Sequence, residues 1–333
     1  MATLRIAGRA APIALRPDET LLQAALRAGA DLPHGCRSGI CGACRVAVVR
    51  GTVAHDPCSP AALTAGERAA GMALACRARA QGDVAIDLVA DDPSPPSPRR
   101  FATTVVAVAP LTPAAAAVTL APPAGGLAFL PGQYATLGFA GHAARDFSLA
   151  SLPGDPGLVF HIRDAGPGSA GAHAVATARA GDPVTVEGPF GRAHLRRRHR
   201  GPLLLVAGGT GLGPMLAIAR AALAACPGRF VDLCVGARDP AELYGLADIE
   251  RLAARHACLR WHVALGDPGG SAHGARTAVD LAMATLRDAT DGLAVHAAGP
   301  PAMIAALTAA LAAAGVDPAF IHADAFRPAT PLP

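Results

Sequence analysis

Four cysteines constrain this chain more than any other feature. Cys36, Cys41 and Cys44 stand in HGCRSGICGACRV with the spacing Cys-x4-Cys-x2-Cys, and Cys76 follows in LACRA after 31 intervening residues. Thiols spaced in this way wrap the backbone around whatever they bind. The residues between them are small, and Ser38, Gly39, Gly42 and Ala43 let backbone N–H groups come close to a bound centre. A four-cysteine zinc site usually uses two Cys-x2-Cys pairs, and only one such pair is present. Four thiolates at this spacing instead suit a 2Fe-2S cluster. Cys58, Cys226, Cys234 and Cys258 fall outside the pattern and are expected to be buried apolar filler.

The cysteine-bearing region, residues 1–92, resembles the plant-type ferredoxin domain. Its residue pattern reads as short strands over 3–16 around a Gly8 turn, a helix over 20–30, and strands over 45–50 and 84–89. A small mixed sheet with one packed helix is expected, a β-grasp in the terms of the resemblance. A Pro- and Ser-rich segment, DDPSPPSPRR, follows and marks a linker over 93–100.

With 333 residues, the chain has room for two or three cores. Residues 101–200 carry short β-branched or alternating runs at 103–108, 134–139, 158–162 and 183–186, each bounded by Gly or Pro, which predicts an antiparallel barrel. From 201 to 333 strands alternate with helices (203–207, 214–225, 231–236, 247–256), which predicts a parallel sheet with crossover helices. The expected fold is therefore multidomain, α+β followed by α/β.

In the second region, RDFS (Arg145, Asp146, Phe147, Ser148) follows PGQY, which ends at Tyr134, and precedes EGPFG at 187–191. These motifs, in this order, resemble the FAD-binding barrel of the ferredoxin–NADP reductase superfamily. The resemblance implies that Arg145 pairs with the FAD diphosphate, Phe147 lies along the flavin and Ser148 hydrogen-bonds near its N5. Tyr134 joins this set. The superfamily's Gly-x-x-Ser element falls on Gly168, Ser169, Ala170 and Gly171, so its Ser is replaced by Gly171 and backbone donors are expected to serve instead.

The third region opens with a strand that runs into Gly208-Gly209-Thr210-Gly211-Leu212-Gly213-Pro214 and then a helix. Such a turn presents unpaired N–H groups to a diphosphate. HAAGPPAM places Ala298, Gly299 and Pro300 where the superfamily has Cys-Gly-Pro, beside the nicotinamide. Phe326 resembles the aromatic residue that covers the flavin until nicotinamide displaces it. Ser148, Thr210 and Phe326 are the implied catalytic residues. Arg238, Asp239 and Glu242 stand where the adenine ribose is expected, and the two acids predict NADH rather than NADPH.

The order ferredoxin, FAD barrel, NAD domain resembles the reductase components of oxygenases, such as those serving aromatic-ring dioxygenases and phenol and methane monooxygenases. The implied activity is an NADH-dependent iron–sulfur flavoprotein oxidoreductase. Electrons pass through FAD and the 2Fe-2S cluster to a terminal oxygenase, either a Rieske dioxygenase or a di-iron monooxygenase. Two alternatives stay open: a reductase of deoxysugar biosynthesis, and a redox-sensing module with a degenerate nucleotide site.

Composition excludes other classes. A net charge of +4 and an aromatic fraction of 4% supply neither the field nor the stacking surface for nucleic acid. The basic run Arg196–Arg200 reads as a solvated loop. The low-charge stretches 203–219 and 294–316 are broken by Gly and Pro, so no membrane span is expected. The opening residues lack the apolar core of a signal peptide, and a cytoplasmic location is expected.

Overall fold

The computed structural model describes residues 2–34, 37–39, 44–58, 63–88, 95–196, 202–266, 277–286 and 293–326. They group into two compact units, residues 1–97 with 190–192 and residues 98–189 with 193–333.

The first unit contains β1 (Thr3–Ile6), β2 (Ile13–Ala14), α1 (Leu21–Arg27), β3 (Arg45–Arg50), β4 (Val53–His55), α2 (Ala65–Ala69), β5 (Met72–Leu74), β6 (Ala78–Ala80) and β7 (Val84–Leu88). Five of the strands form a mixed sheet in the order β2-β1-β7-β3-β5, with β1 and β7 parallel. Apolar alternation gives this sheet one buried face, on which Leu4, Val46 and Ile86 pack against Leu21, Leu22 and Ala25 of α1. Thr20 starts α1 with a capping box, its hydroxyl accepting from Gln23 N while the Gln23 amide accepts from Thr20 N. Such a cap is worth about 1 kcal/mol. Among the described residues the unit has two helices where one was expected. Residues 65–69 form α2 through a second capping box, Thr64 with Glu67, although none of its residues is buried.

The barrel strands are β8 (Arg99–Thr112), β9 (Ala115–Leu120), β10 (Tyr134–Phe139), β11 (Arg145–Ser148), β12 (Leu158–Arg163) and β13 (Pro183–Phe190), with α3 (Ala170–Ala176) between the last two. The sheet order is β11-β10-β13-β8-β9-β12, and a bridge from Leu149 to Phe160 nearly closes it. β8 starts two residues before the expected start of the barrel at 101, because Arg99 and Arg100 already pair with Gly188 and Glu187. Beyond Thr104 the same strand pairs with β9 through two irregularities, which carry it around the corner of the barrel. Phe129, Leu137, Leu149, Phe160 and Ile162 fill the interior.

The last part comprises β14 (Leu203–Gly208), α4 (Leu212–Ala225), β15 (Val231–Ala237), α5 (Leu246–Arg255), β16 (Leu259–Leu265), α6 (Ala278–Thr285), β17 (Ala294–Gly299), α7 (Pro301–Ala313) and β18 (Ile321–Ala325). All five strands are parallel, in the order β16-β15-β14-β17-β18. Leu203, Leu205 and Ala207 face α4 and α5, whereas Leu204 and Val206 face α6 and α7. Strand order reverses direction at β14, and a crevice at the carboxyl ends of β14 and β17 is where such sheets bind ligands. No helix among the described residues is long and apolar enough to cross a membrane.

Candidate functional site

Cys44 and Cys76 are both buried in the core of the first unit. The antiparallel pairing of β3 with β5 brings them together, and Ala75 N donates to the Cys44 carbonyl at 2.9 Å. Cys36 and Cys41 lie outside the described residues. Gly39 (φ +77) packs so tightly that an added methyl would stand 2.8 Å from Arg77 Cγ and 3.0 Å from Cys58 Cβ. Gly39 thus closes down on the segment that carries Cys76, and two buried thiols from neighbouring segments fit a sulfur-ligated cluster. The remaining cysteines depart from expectation. Only Cys234 is fully buried, with its thiol pushed up to about 12 by burial. Cys58, Cys226 and Cys258 are half-buried, because each lies in a loop at the margin of a core.

Arg145, Phe147 and Ser148 sit on β11, paired in register with Leu137, Ala135 and Tyr134 of β10. Burial increases along β11 from Arg145 to Ser148. Ser148 and Tyr134 are buried, Phe147 is half-buried against the barrel core, and Arg145 is exposed. The Arg145 guanidinium bonds only the Ala144 carbonyl (2.9 Å), and among the described residues it has no carboxylate partner. The turn between β10 and β11 meets the loop before α3, where His142 Nδ1 lies 3.2 Å from the Gly168 carbonyl. The strand motif and the Gly168 loop are therefore neighbours, as one diphosphate would require. Ser169 caps α3 by accepting from Ala172 N at 3.0 Å. Gly171 is different. A methyl there would stand 2.3 Å from the Arg163 carbonyl, so this glycine serves close packing on β12 and does not line an open surface.

The glycines after β14 divide in the same way. A methyl at Gly211 would stand 2.0 Å from the Ala298 carbonyl, and one at Gly208 would stand 2.8 Å from Met303 and Pro300. Gly299 (φ +153) closes on Met303 and Gly208, and Gly213 on His161. These residues seat the β14 and β17 turns against each other and against the barrel. Gly209 (φ +56) faces open space, and Thr210 beside it is half-exposed. Pro214 is buried in the first turn of α4, where its missing N–H leaves no bond unmade. Ala298 is buried and Pro300 exposed at the mouth of the crevice. Phe326 packs against the α4 side of the sheet, and its N–H donates to the Gly299 carbonyl at 2.9 Å.

Asp324 is the residue that sequence reasoning missed. Its Oδ2 accepts from Ser148 Oγ at 3.2 Å, joining β18 to β11. Burial pushes its carboxyl up to about 6, with the Ser148 bond opposing and Asp146 reinforcing the rise. A usable signal was present in IHADAF: His322, Asp324 and Phe326 alternate with Ile321, Ala323 and Ala325, which pack on the opposite, α7 side.

The acids near the ribose position are engaged. Asp239 Oδ1 accepts from Ala241 N at 2.7 Å, and Glu242 Oε1 accepts from Arg238 (2.6 Å) and Arg163 (3.2 Å). The Arg238 guanidinium holds the Glu242 carboxyl below the usual carboxylate range. Arg196 corrects the solvated-loop expectation, because it is buried, with Nη1 2.7 Å from His194 Nε2 and Nη2 3.4 Å from His322 Nδ1. Leu195 beside it enters the core, with its N–H donating to the Pro131 carbonyl, and this draws the start of the basic run inward. Residues 197–200 lie outside the described residues.

Known proteins agree with this arrangement. The family described as "2Fe-2S iron-sulfur cluster binding domain" matches residues 4–81, and "Oxidoreductase NAD-binding domain" matches residues 205–309. The reductase subunit of an aromatic O-demethylase from Amycolatopsis is 37% identical over 94% of this chain and 96% of its own. The reductase component of a naphthalene 1,2-dioxygenase/salicylate 5-hydroxylase system from Ralstonia is 34% identical over 93% and 94%. The crystal structure of an Amycolatopsis cytochrome P450 reductase superposes with a TM-score of 0.75 at 34% identity, over 99% of this chain and 100% of its own. A cluster domain, a nearly closed barrel and a parallel-sheet nucleotide domain thus occur together along the full length of named relatives, and the chain belongs to the family of iron–sulfur flavoprotein ferredoxin–NAD(P)+ reductase components of oxygenase systems, which use FAD and a 2Fe-2S cluster.

Proposed function

We propose that this chain takes electrons from NADH and passes them, within one polypeptide, to a separate oxygenase that acts on aromatic substrates. The observation that carries this reading is the Ser148–Asp324 bond, which ties the barrel motif to the edge of the nucleotide sheet. FAD, when bound, supplies the conversion of one hydride transfer into two single-electron transfers to the cluster. Cys36, Cys41, Cys44 and Cys76 hold the cluster. Arg145 and the N–H groups around Gly168 and Ser169 take the FAD diphosphate, Phe147 lies along the flavin, and Ser148 and Asp324 bond its edge. The nicotinamide nucleotide lies on Gly209 and Thr210 at the head of α4, with Ala298, Gly299 and Pro300 beside the nicotinamide and Phe326 covering the flavin in its absence.

A cytochrome P450 joins the Rieske dioxygenase and di-iron monooxygenase as an acceptor class, on the likeness to the Amycolatopsis reductase. Reliance on NADH supports a cytoplasmic location. The boundaries 1–92, 93–100, 101–200 and 201–333 are retained as functional domains, with the barrel strand entering at Arg99.

The test uses the full chain loaded with FAD and cluster. NADH should bleach the flavin and then elicit the paramagnetic signal of a reduced 2Fe-2S centre. Cys41→Ser should abolish that signal while leaving flavin bleaching, and Cys58→Ser should retain both. Loss in both variants, or in neither, overturns the ligand set, and an unbleached wild-type flavin overturns the electron path.

A further inference from the structure

Strand β12 buries Leu158, Phe160 and Ile162 in the barrel, so alternation turns His161 and Arg163 outward. Both meet the loop after β15. His161 Nδ1 lies 3.0 Å from Tyr244 Oη, and Arg163 donates to Glu242 at 3.2 Å. Two residues spaced by two on the strand thus meet two residues spaced by two in the loop, which sets the register of barrel against nucleotide sheet. Tyr244 Oη also donates to the Gly209 carbonyl at 3.5 Å. The imidazole fills the space over the head of α4 as well, where a methyl at Gly213 would stand 2.8 Å from Nδ1.

We propose that His161 and Tyr244 are a positioning pair for the nicotinamide nucleotide, holding the Gly209 peptide so that the turn is ordered before the nucleotide arrives. The inference rests on the nucleotide-binding reading of the Gly208–Gly211 turn. Gly209 has a positive φ and nothing packed where a side chain would be, so neighbouring side chains do not restrain this peptide. Its carbonyl has two partners, the Leu212 N–H and the Tyr244 hydroxyl. A trans peptide is planar, so fixing the Gly209 carbonyl aims the Thr210 N–H the opposite way, out of the helix start, where a phosphate would accept it. One arrangement of protons satisfies all three groups: His161 Nδ1–H donates to the phenol oxygen, and the phenol donates to Gly209. Burial supports it by pushing the imidazole down to about 4 and the phenol upward, which keeps both neutral at working pH.

Removing the hydroxyl should loosen the turn in the free protein and weaken nucleotide binding, without touching the reacting atoms. The experiment uses full-length, FAD- and cluster-loaded protein with ferricyanide as acceptor. Tyr244→Phe should raise the KM for NADH about fivefold, the effect of one lost hydrogen bond. Its kcat should stay within about twofold of wild type, the signature of lost uniform binding. His161→Leu should do the same, the double variant should lose no more than either single one, and His161→Asn should recover most of the affinity that His161→Leu loses. Flavin content and thermal midpoint are measured on the same samples. If Tyr244→Phe does not retain flavin, the comparison of His161→Leu with His161→Asn decides. Unchanged KM with a lowered midpoint, a fall in kcat at constant KM, or additive losses would each overturn the pairing. If wild-type protein does not oxidise NADH at all, the nucleotide-binding reading falls as well, whereas activity with indifferent variants sinks the pairing alone.

Discussion

Ser148 Oγ donates to Asp324 Oδ2 at 3.2 Å, across 176 positions of sequence. The bond holds a hydroxyl and a carboxyl at the place where the barrel meets the end of β18. Under the proposed function both groups would bond the edge of the flavin, where a proton could pass between them and it. Ser148→Ala should therefore slow flavin reduction by NADH about tenfold to a hundredfold. FAD content should change little, because Arg145 and the Gly168 loop are untouched. Stopped-flow absorbance of the flavin measures the first effect and its spectrum the second.

The same carboxyl makes stability depend on pH. Burial raises it to about 6 from the 3.8 of a free carboxyl, so between roughly pH 4 and 6 the folded chain keeps a proton that the unfolded chain has released. Stability should fall as pH rises through that window, and the loss should be complete above it. Asp324→Asn removes the titration. Its thermal midpoint relative to wild type should climb between pH 4 and pH 7 by on the order of 5 °C. A constant difference across that range would show that the carboxyl is not buried in the folded protein.

Nucleotide choice should turn on Glu242, which binds Arg238 at 2.6 Å and Arg163 at 3.2 Å. The ion pair engages the Arg238 guanidinium, which the proposed function places near the adenine ribose, where a 2′-phosphate would stand. Glu242→Gln frees Arg238, and the ratio of kcat/KM for NADPH to that for NADH should rise about tenfold. A fall in that ratio would mean that Arg238 faces elsewhere when nucleotide is bound.

Two neighbouring glycines should fail for different reasons. Gly211→Ala drives a methyl to 2.0 Å from the Ala298 carbonyl and should separate the β14 and β17 turns, with NADH oxidation lost while flavin and cluster spectra persist. Gly209→Ala meets no protein atom and carries its φ of +56, a strain of about 1 kcal/mol, together with a methyl on the face where the nucleotide is proposed to lie. Its activity should fall no more than about tenfold. Equal damage from both would show that the turn rearranges around added bulk.

Much of this protein is legible in its residues because the relevant chemistry is local. Cys-x4-Cys-x2-Cys, RDFS and the Gly208–Gly213 turn each lie within a short segment, so the residue types their chemistry needs can be read together from the sequence. Strand positions such as 134–139 follow from alternation in the same way. The glycines were legible as close approaches, but not what they approach. Gly171 meets Arg163, Gly211 meets Ala298, and Gly213 meets His161, all across the fold. Asp324 and Arg196 were misjudged or missed because burial is a property of packing: a lone carboxyl in β18 and the first arginine of a basic run look solvated until the barrel and the sheet close over them. Local spacing determined which cofactors this chain can bind, whereas tertiary packing alone decided which polar groups lose water and meet, since that depends on contacts between residues far apart in sequence.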